Sequence, residues 1–134
     1  MTIQADLLAA IETYFDAIHT CDTAKLNAVF HPRSSLFDAD NGTVFVEPID
    51  SFSRDVAGRV SPASAGQKRE AEVLMIDFLS PISATVKIRI RAHHSVFVDH
   101  LGFLRGAEGW QIVSKIWHLE STIDADEKPQ GVAA

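Results

Sequence analysis

The chain has 134 residues, 46% hydrophobic and 22% charged, a composition suited to one globular domain rather than to a disordered segment. Twelve Lys plus Arg against eighteen Asp plus Glu leave a formal charge of -6, a field that repels phosphate backbones and anionic surfaces and argues against nucleic acid or membrane partners. A single cysteine, Cys21, rules out an intramolecular disulfide, so a cytoplasmic setting is the default expectation.

The N-terminal stretch MTIQADLLAAIETYF carries Asp6 and Glu12 and no basic region, unlike a signal or transit peptide. Over residues 2–20, Ile3, Leu7, Ile11, Tyr14 and Ile18 form one stripe, joined by Leu8 and Phe15, which predicts an amphipathic helix with Tyr14 on its buried side. Asp22 can cap a second short helix through TAKLNAVF, ended by His31-Pro32. In SSLFDADNGTVFVE the Asn41-Gly42 centre predicts a two-residue hairpin. Pro48 suits the start of a third helix, IDSFSRDVAGR, whose apolar face is Ile49, Phe52 and Val56. The segment 58–68, GRVSPASAGQK, reads as a mobile loop.

Four strands follow, REAEVLMIDFL, ISATVKIRIRA, SVFVDHLGFLR and WQIVSKIWHLE, with short breaks that suggest an antiparallel meander. One domain over residues 1–120 and a polar, frayed tail over 121–134 are expected. A turn at His93-His94 pairs Ala92 with Ser95 and sets Asp99 opposite Ile88. A four-residue GAEG loop pairs Arg105 with Trp110, sets Ile116 opposite Asp99, and gives Trp110, Ile112, Ser114 and His118 the same face. Asp99 thus belongs to the apolar row with Phe97, Leu101 and Phe103, where a carboxylate needs partners or a wet pocket. In the earlier hairpin, Asp38 shares a mixed row with Leu36, Asp40, Thr43 and Glu47. The opposite row, Phe37, Ala39, Val44 and Val46, is the more apolar, so the pattern points Asp38 toward solvent.

The element order ααββαββββ resembles the α+β nuclear transport factor 2-like, or cystatin-like, fold. That resemblance implies a curved antiparallel sheet wrapped as a cone around three helices, with a small-molecule pocket inside and dimerisation through the sheet. YFDAIHTCDTAKLNAVFHP and FVDHLGFLRGAEGWQIVSKIWHLE are similar to the SnoaL-like, lumazine-binding group, whose activity is little defined. Tyr14 in YFDAI, Asp38 in LFDAD and Asp99 in VDHLGF also resemble the three site positions of ketosteroid isomerase, although Ala39 stands where the isomerase has proline. The resemblance implies Tyr14 and a neutral Asp99 as donors to a carbonyl oxygen and Asp38 as the base. A cofactor-free isomerase, cyclase or dehydratase would then be the activity, and a non-catalytic binding or assembly module the alternative.

The remaining candidates are His118 as a proton carrier, and Phe97, Leu101, Phe103, Trp110, Ile112, Ser114 and Ile116 as pocket walls. Tyr14 and His118 equally suit hydrogen-bonded core positions. No HExxH or i, i+4 histidine pair supports zinc, so neither metal nor cofactor is expected. Val113, Lys115, Trp117 and Leu119 beside Val96 and Val98 make an outer face too apolar for a monomer, predicting a homodimer through it.

Overall fold

In a computed structural model, which describes residues 2–123, the chain opens with helix α1 (Ile3–Thr20), capped by the Thr2 hydroxyl accepting the Ala5 N–H. Leu7, Ile11, Tyr14, Phe15 and Ile18 are its buried face, as the stripe predicts, whereas Leu8 is exposed. The helix stops at Cys21, which adopts a left-handed conformation (φ 53°). Asp22 then caps α2 (Thr23–Val29), accepting the Lys25 N–H. Strands β1 (Phe30–Asp38) and β2 (Phe45–Pro48) form the predicted hairpin, with Asp38 opposite Phe45. Helix α3 (Ile49–Ala57) buries Ile49, Phe52 and Val56.

The meander β3 (Ala71–Ser80), β4 (Ser83–Ala92), β5 (Ser95–Gly106) and β6 (Gly109–Thr122) completes a six-stranded sheet in the order β2-β1-β6-β5-β4-β3. The sheet is curved and unclosed, and the fold is α+β. One pairing departs from the antiparallel expectation: β1 runs parallel to β6. The core lies between the concave face and the helices, with Val86, Ile88, Ile90, Leu101 and Ile112 of the sheet meeting Leu7, Ile11 and Phe15 of α1. Strand β6 extends past the predicted boundary at residue 120, and Ile123 is buried with its N–H donated to the His94 carbonyl. The rest of the predicted tail, 124–134, lies outside the described residues.

Two registers decide the site. The β4–β5 hairpin pairs Ala92 with Ser95 and Ile88 with Asp99, as the two-residue turn requires. The β5–β6 hairpin begins as predicted, with Arg105 opposite Trp110 and Phe103 opposite Ile112. The register then slips by one, so Gly102 faces Ser114 and Asp99 faces Trp117 instead of Ile116. This is a β-bulge at Val113: two residues of one strand oppose one of the other, and the side chains after it change face as far as Leu119, where a second register shift follows. Lys115 and Trp117 therefore turn inward, and Ser114, Ile116 and His118 lie on the outer face, correcting the predicted assignment. Gly102 accommodates the bulge, because a β-carbon there would stand 2.6 Å from the Ser114 hydroxyl oxygen.

The first hairpin also reverses an expectation. Its more apolar row is the outer one, with Val44 and Val46 exposed, while Leu36 and Ser34 are buried on the concave side. Asp38 follows Leu36 inward at the strand end, half-buried, where its carboxylate accepts the Asp40 N–H at 3.2 Å.

Segment 58–68, read as a mobile loop, is tied across one end of the sheet. Ala63 N–H donates to the His19 carbonyl, Gln67 exchanges two hydrogen bonds with the His93 backbone, and the His93 ring contacts the Val60 carbonyl at 2.7 Å.

Candidate functional site

Tyr14 reaches the inner face from the middle of α1 because it lies on the helix stripe, and Asp99 reaches it from β5 because strand alternation puts it there. Their meeting needs the tertiary fold, since 85 residues separate them. The Tyr14 hydroxyl donates to Asp99 Oδ2 at 2.8 Å. Lys115, turned inward by the bulge, holds its ammonium 3.7 Å from the same oxygen, 4.8 Å above the Phe52 ring and 5.4 Å from the Tyr14 ring. All three side chains are buried. Among the described residues the second carboxylate oxygen, Asp99 Oδ1, has no hydrogen-bond partner.

The three groups border a cavity of about 130 Å³. Ile18, Leu36, Phe52, Ile90, Ala92, Phe97 and Trp117 supply apolar walls, and Glu47 and Arg59 add one charge of each sign. Phe97 and Trp117 pack edge to face, with centroids 5.7 Å apart. A second hollow of about 270 Å³ shares Ile18, Arg59, Ala92 and Phe97 with the first and runs under the 58–68 segment past Cys21, Pro62 and His93.

Burial disfavours each charged form here. It holds the Tyr14 phenol well above its ordinary range, reinforced by the neighbouring Asp99 carboxylate and opposed by Arg59. Burial also lowers the Lys115 ammonium from its ordinary value, with Asp99 opposing and Arg59 adding to the shift. Glu47 is raised, first by burial and then by its hydrogen bond with Asp55, against the Ser51 hydroxyl it accepts at 2.8 Å.

Of the residues expected from sequence, Tyr14, Asp99 and Phe97 line the cavity. Leu101, Phe103, Trp110 and Ile112 are buried in the surrounding core and do not border it. Asp38 also lies off the cavity lining. His118 is exposed on the outer face, its Nδ1 2.7 Å from Asp40 Oδ1. Asp40 also accepts the Leu119 N–H, and the histidine contact leads the causes that lower its carboxyl. Sequence reasoning missed Lys115, Trp117, Glu47 and Arg59. For the first two a signal existed: an isolated glycine inside a strand, Gly102, marks a bulge or a close backbone approach. Among the described residues no group of three or more His, Cys, Asp or Glu side chains is placed to hold a metal. No described helix is long and apolar enough to cross a membrane.

Residues 3–118 match the family described as "Putative lumazine-binding". The chain belongs to that family. Solved structures agree on the fold of this lumazine-binding-family domain. A nuclear transport factor 2-like protein of unknown function from Silicibacter pomeroyi superposes with a TM-score of 0.76 at 22% identity, covering 86% of this chain and 93% of that one. One from Shewanella baltica gives 0.78 at 18%, covering 89% and 94%. A ketosteroid isomerase-like protein from Erwinia carotovora atroseptica gives 0.66 at 15%, covering 87% and 95%. At these identities the likeness is one of fold. No curated protein matches the sequence.

Proposed function

We propose that this domain binds a small planar molecule presenting a carbonyl oxygen beside an N–H, with Asp99 and Lys115 as its polar contacts. The observation that carries this reading is Asp99 Oδ1, a buried carboxylate oxygen without a partner among the described residues. Leaving a buried acceptor unmet costs about 1–3 kcal/mol, and more when it is charged. A ligand N–H would satisfy it, and a ligand carbonyl would accept from the adjacent ammonium. The inner cavity alone is small for a metabolite, since ligand pockets run to roughly 300–1,000 Å³. The adjoining hollow supplies the remaining room, with Phe97 between them.

Lumazine, named in the family description, has this lactam edge on a flat ring and is the first probe. Titrated into the protein, it is expected to quench tryptophan fluorescence saturably, because Trp117 is a cavity wall. Asp99→Asn should weaken binding at least about tenfold, the effect of losing a hydrogen bond to a charged group. A linear, unsaturable response up to the solubility limit would overturn the proposal.

Isomerase, cyclase or dehydratase chemistry on such a ligand requires a base in the same cavity, and Glu47 meets that condition by position. Deuterium uptake at the ligand carbon next to the carbonyl, lost in Glu47→Gln, would separate that activity from binding alone.

A second copy of the chain is the proposed partner for the outer sheet face. Met75, Leu104 and Ile116 are exposed there, beside a shallow groove of Lys87, Arg89, Val98 and His100. Trp117, expected on that face, is a wall of the inner cavity instead. Ile116→Glu is expected to yield monomers in sedimentation velocity, and an unchanged dimer would exclude the face.

A further inference from the structure

We propose that Lys115 is an amine nucleophile, forming an imine with a small aldehyde or ketone held in the cavity. The inference rests on the binding reading above and goes further by giving the bound carbonyl a covalent partner. Lys115 borders the cavity, and its Nζ packs over the rings of Phe52 and Tyr14. Its ion-pair partner, the Asp99 carboxylate, stands at 3.7 Å, close enough to take the ammonium's proton. The apolar surroundings lower its basicity, which raises the fraction of free amine that can attack. Exposed lysines such as Lys25 and Lys68 have no such surroundings.

The charged groups around the nitrogen provide the proton path. Lys115 passes a proton to Asp99, and the free amine adds to the carbonyl carbon as the C=O π pair moves to oxygen. Asp99 returns the proton to that oxygen, giving a carbinolamine with a protonated nitrogen. Asp99 takes a proton from this nitrogen and delivers it to the hydroxyl, which leaves as water as the nitrogen lone pair forms the C=N bond. One ammonium and one carbonyl become one iminium and one water, and the iminium keeps the Asp99 carboxylate beside it. Tyr14 holds that carboxylate by its hydrogen bond to Oδ2, while Arg59 and Glu47 are the other charged groups on the walls.

The test is reduction of the intact protein with sodium borohydride in the presence of cyclohexanone, followed by peptide mass mapping. Lys115 is expected to gain a cyclohexyl group roughly tenfold faster than Lys25 or Lys68, because the cavity holds the ketone beside it and burial favours its free amine. Lumazine added first should protect it, and Lys115→Arg should remove that label while leaving the exposed lysines unchanged. The wild-type comparison and the protection measurement stand even where the variant fails to fold. Labelling of Lys115 no faster than of exposed lysines, with lumazine binding intact, would overturn the imine and leave the binding reading. Failure of both would remove both.

Discussion

Lys115→Met is expected to destabilise the domain by about 3–5 kcal/mol near neutral pH, the typical penalty for leaving one member of a buried pair unpaired. Asp99 is 1% exposed, and without Lys115 only the Tyr14 hydroxyl would face its charge. Asp99→Asn should also destabilise, because it leaves the buried Lys115 ammonium without its ion-pair partner. Combined, Asp99→Asn and Lys115→Met should recover at least half the larger loss, since buried pairs are often replaceable by neutral groups of similar volume. Urea denaturation of the four proteins gives the coupling directly. Strictly additive losses, or a Lys115→Met penalty below about 1 kcal/mol, would mean that the two charges do not support each other.

Tyr14→Phe is expected to cost about 1.5–3 kcal/mol at neutral pH, the range for a hydrogen bond to a charged group. Phenylalanine keeps the ring packing and removes only the donor, so the loss belongs to the bond with Asp99 Oδ2. Alkaline titration adds an independent signature. The folded-state value of Tyr14 is raised above that of the unfolded chain, so its contribution is intact below about pH 10 and is lost as pH rises toward the folded value. Tyr14 is the sole tyrosine, and its absorbance near 295 nm should stay that of the phenol until the chain unfolds. Lys115 acts in the opposite sense. Its folded value is lowered, so its contribution is present above the ordinary lysine value of about 10.4 and is lost as pH falls through the folded value. Stability measured from about pH 8 to 11 should therefore fall less steeply in Tyr14→Phe than in the native protein. Ordinary tyrosinate formation in the folded protein would contradict the buried Tyr14–Asp99 arrangement.

Much of the fold was legible because its signals are local. The α1 stripe, the Asp22 cap, the Asn41-Gly42 turn and the His93-His94 turn each depend on a few adjacent residues. Within a hairpin the turn fixes the register for as long as no residue is inserted, so Asp99 could be set opposite Ile88 by counting. The same count failed in the last hairpin beyond Ile112, where the Val113 bulge moved Lys115 and Trp117 to the inside. Hydrophobic alternation did not warn of it, because a lysine in an inward row reads as evidence that the row faces water.

The β1–β2 hairpin misled for a related reason. Its apolar outer row and its mixed inner row reverse the usual pattern, and period alone cannot say which face a sheet closes over.

By itself the sequence determined the elements, their order and the inward aim of Tyr14 and Asp99, because helix and strand periodicity act over one or two turns of chain. Only the tertiary structure decided that the two residues meet, that Lys115 completes the group, and that Glu47 and Arg59 join it while Asp38 and His118 do not. Those outcomes depend on a bulge, on sheet curvature and on contacts between distant segments, and a lysine's charge state follows from what surrounds it rather than from its neighbours in the chain.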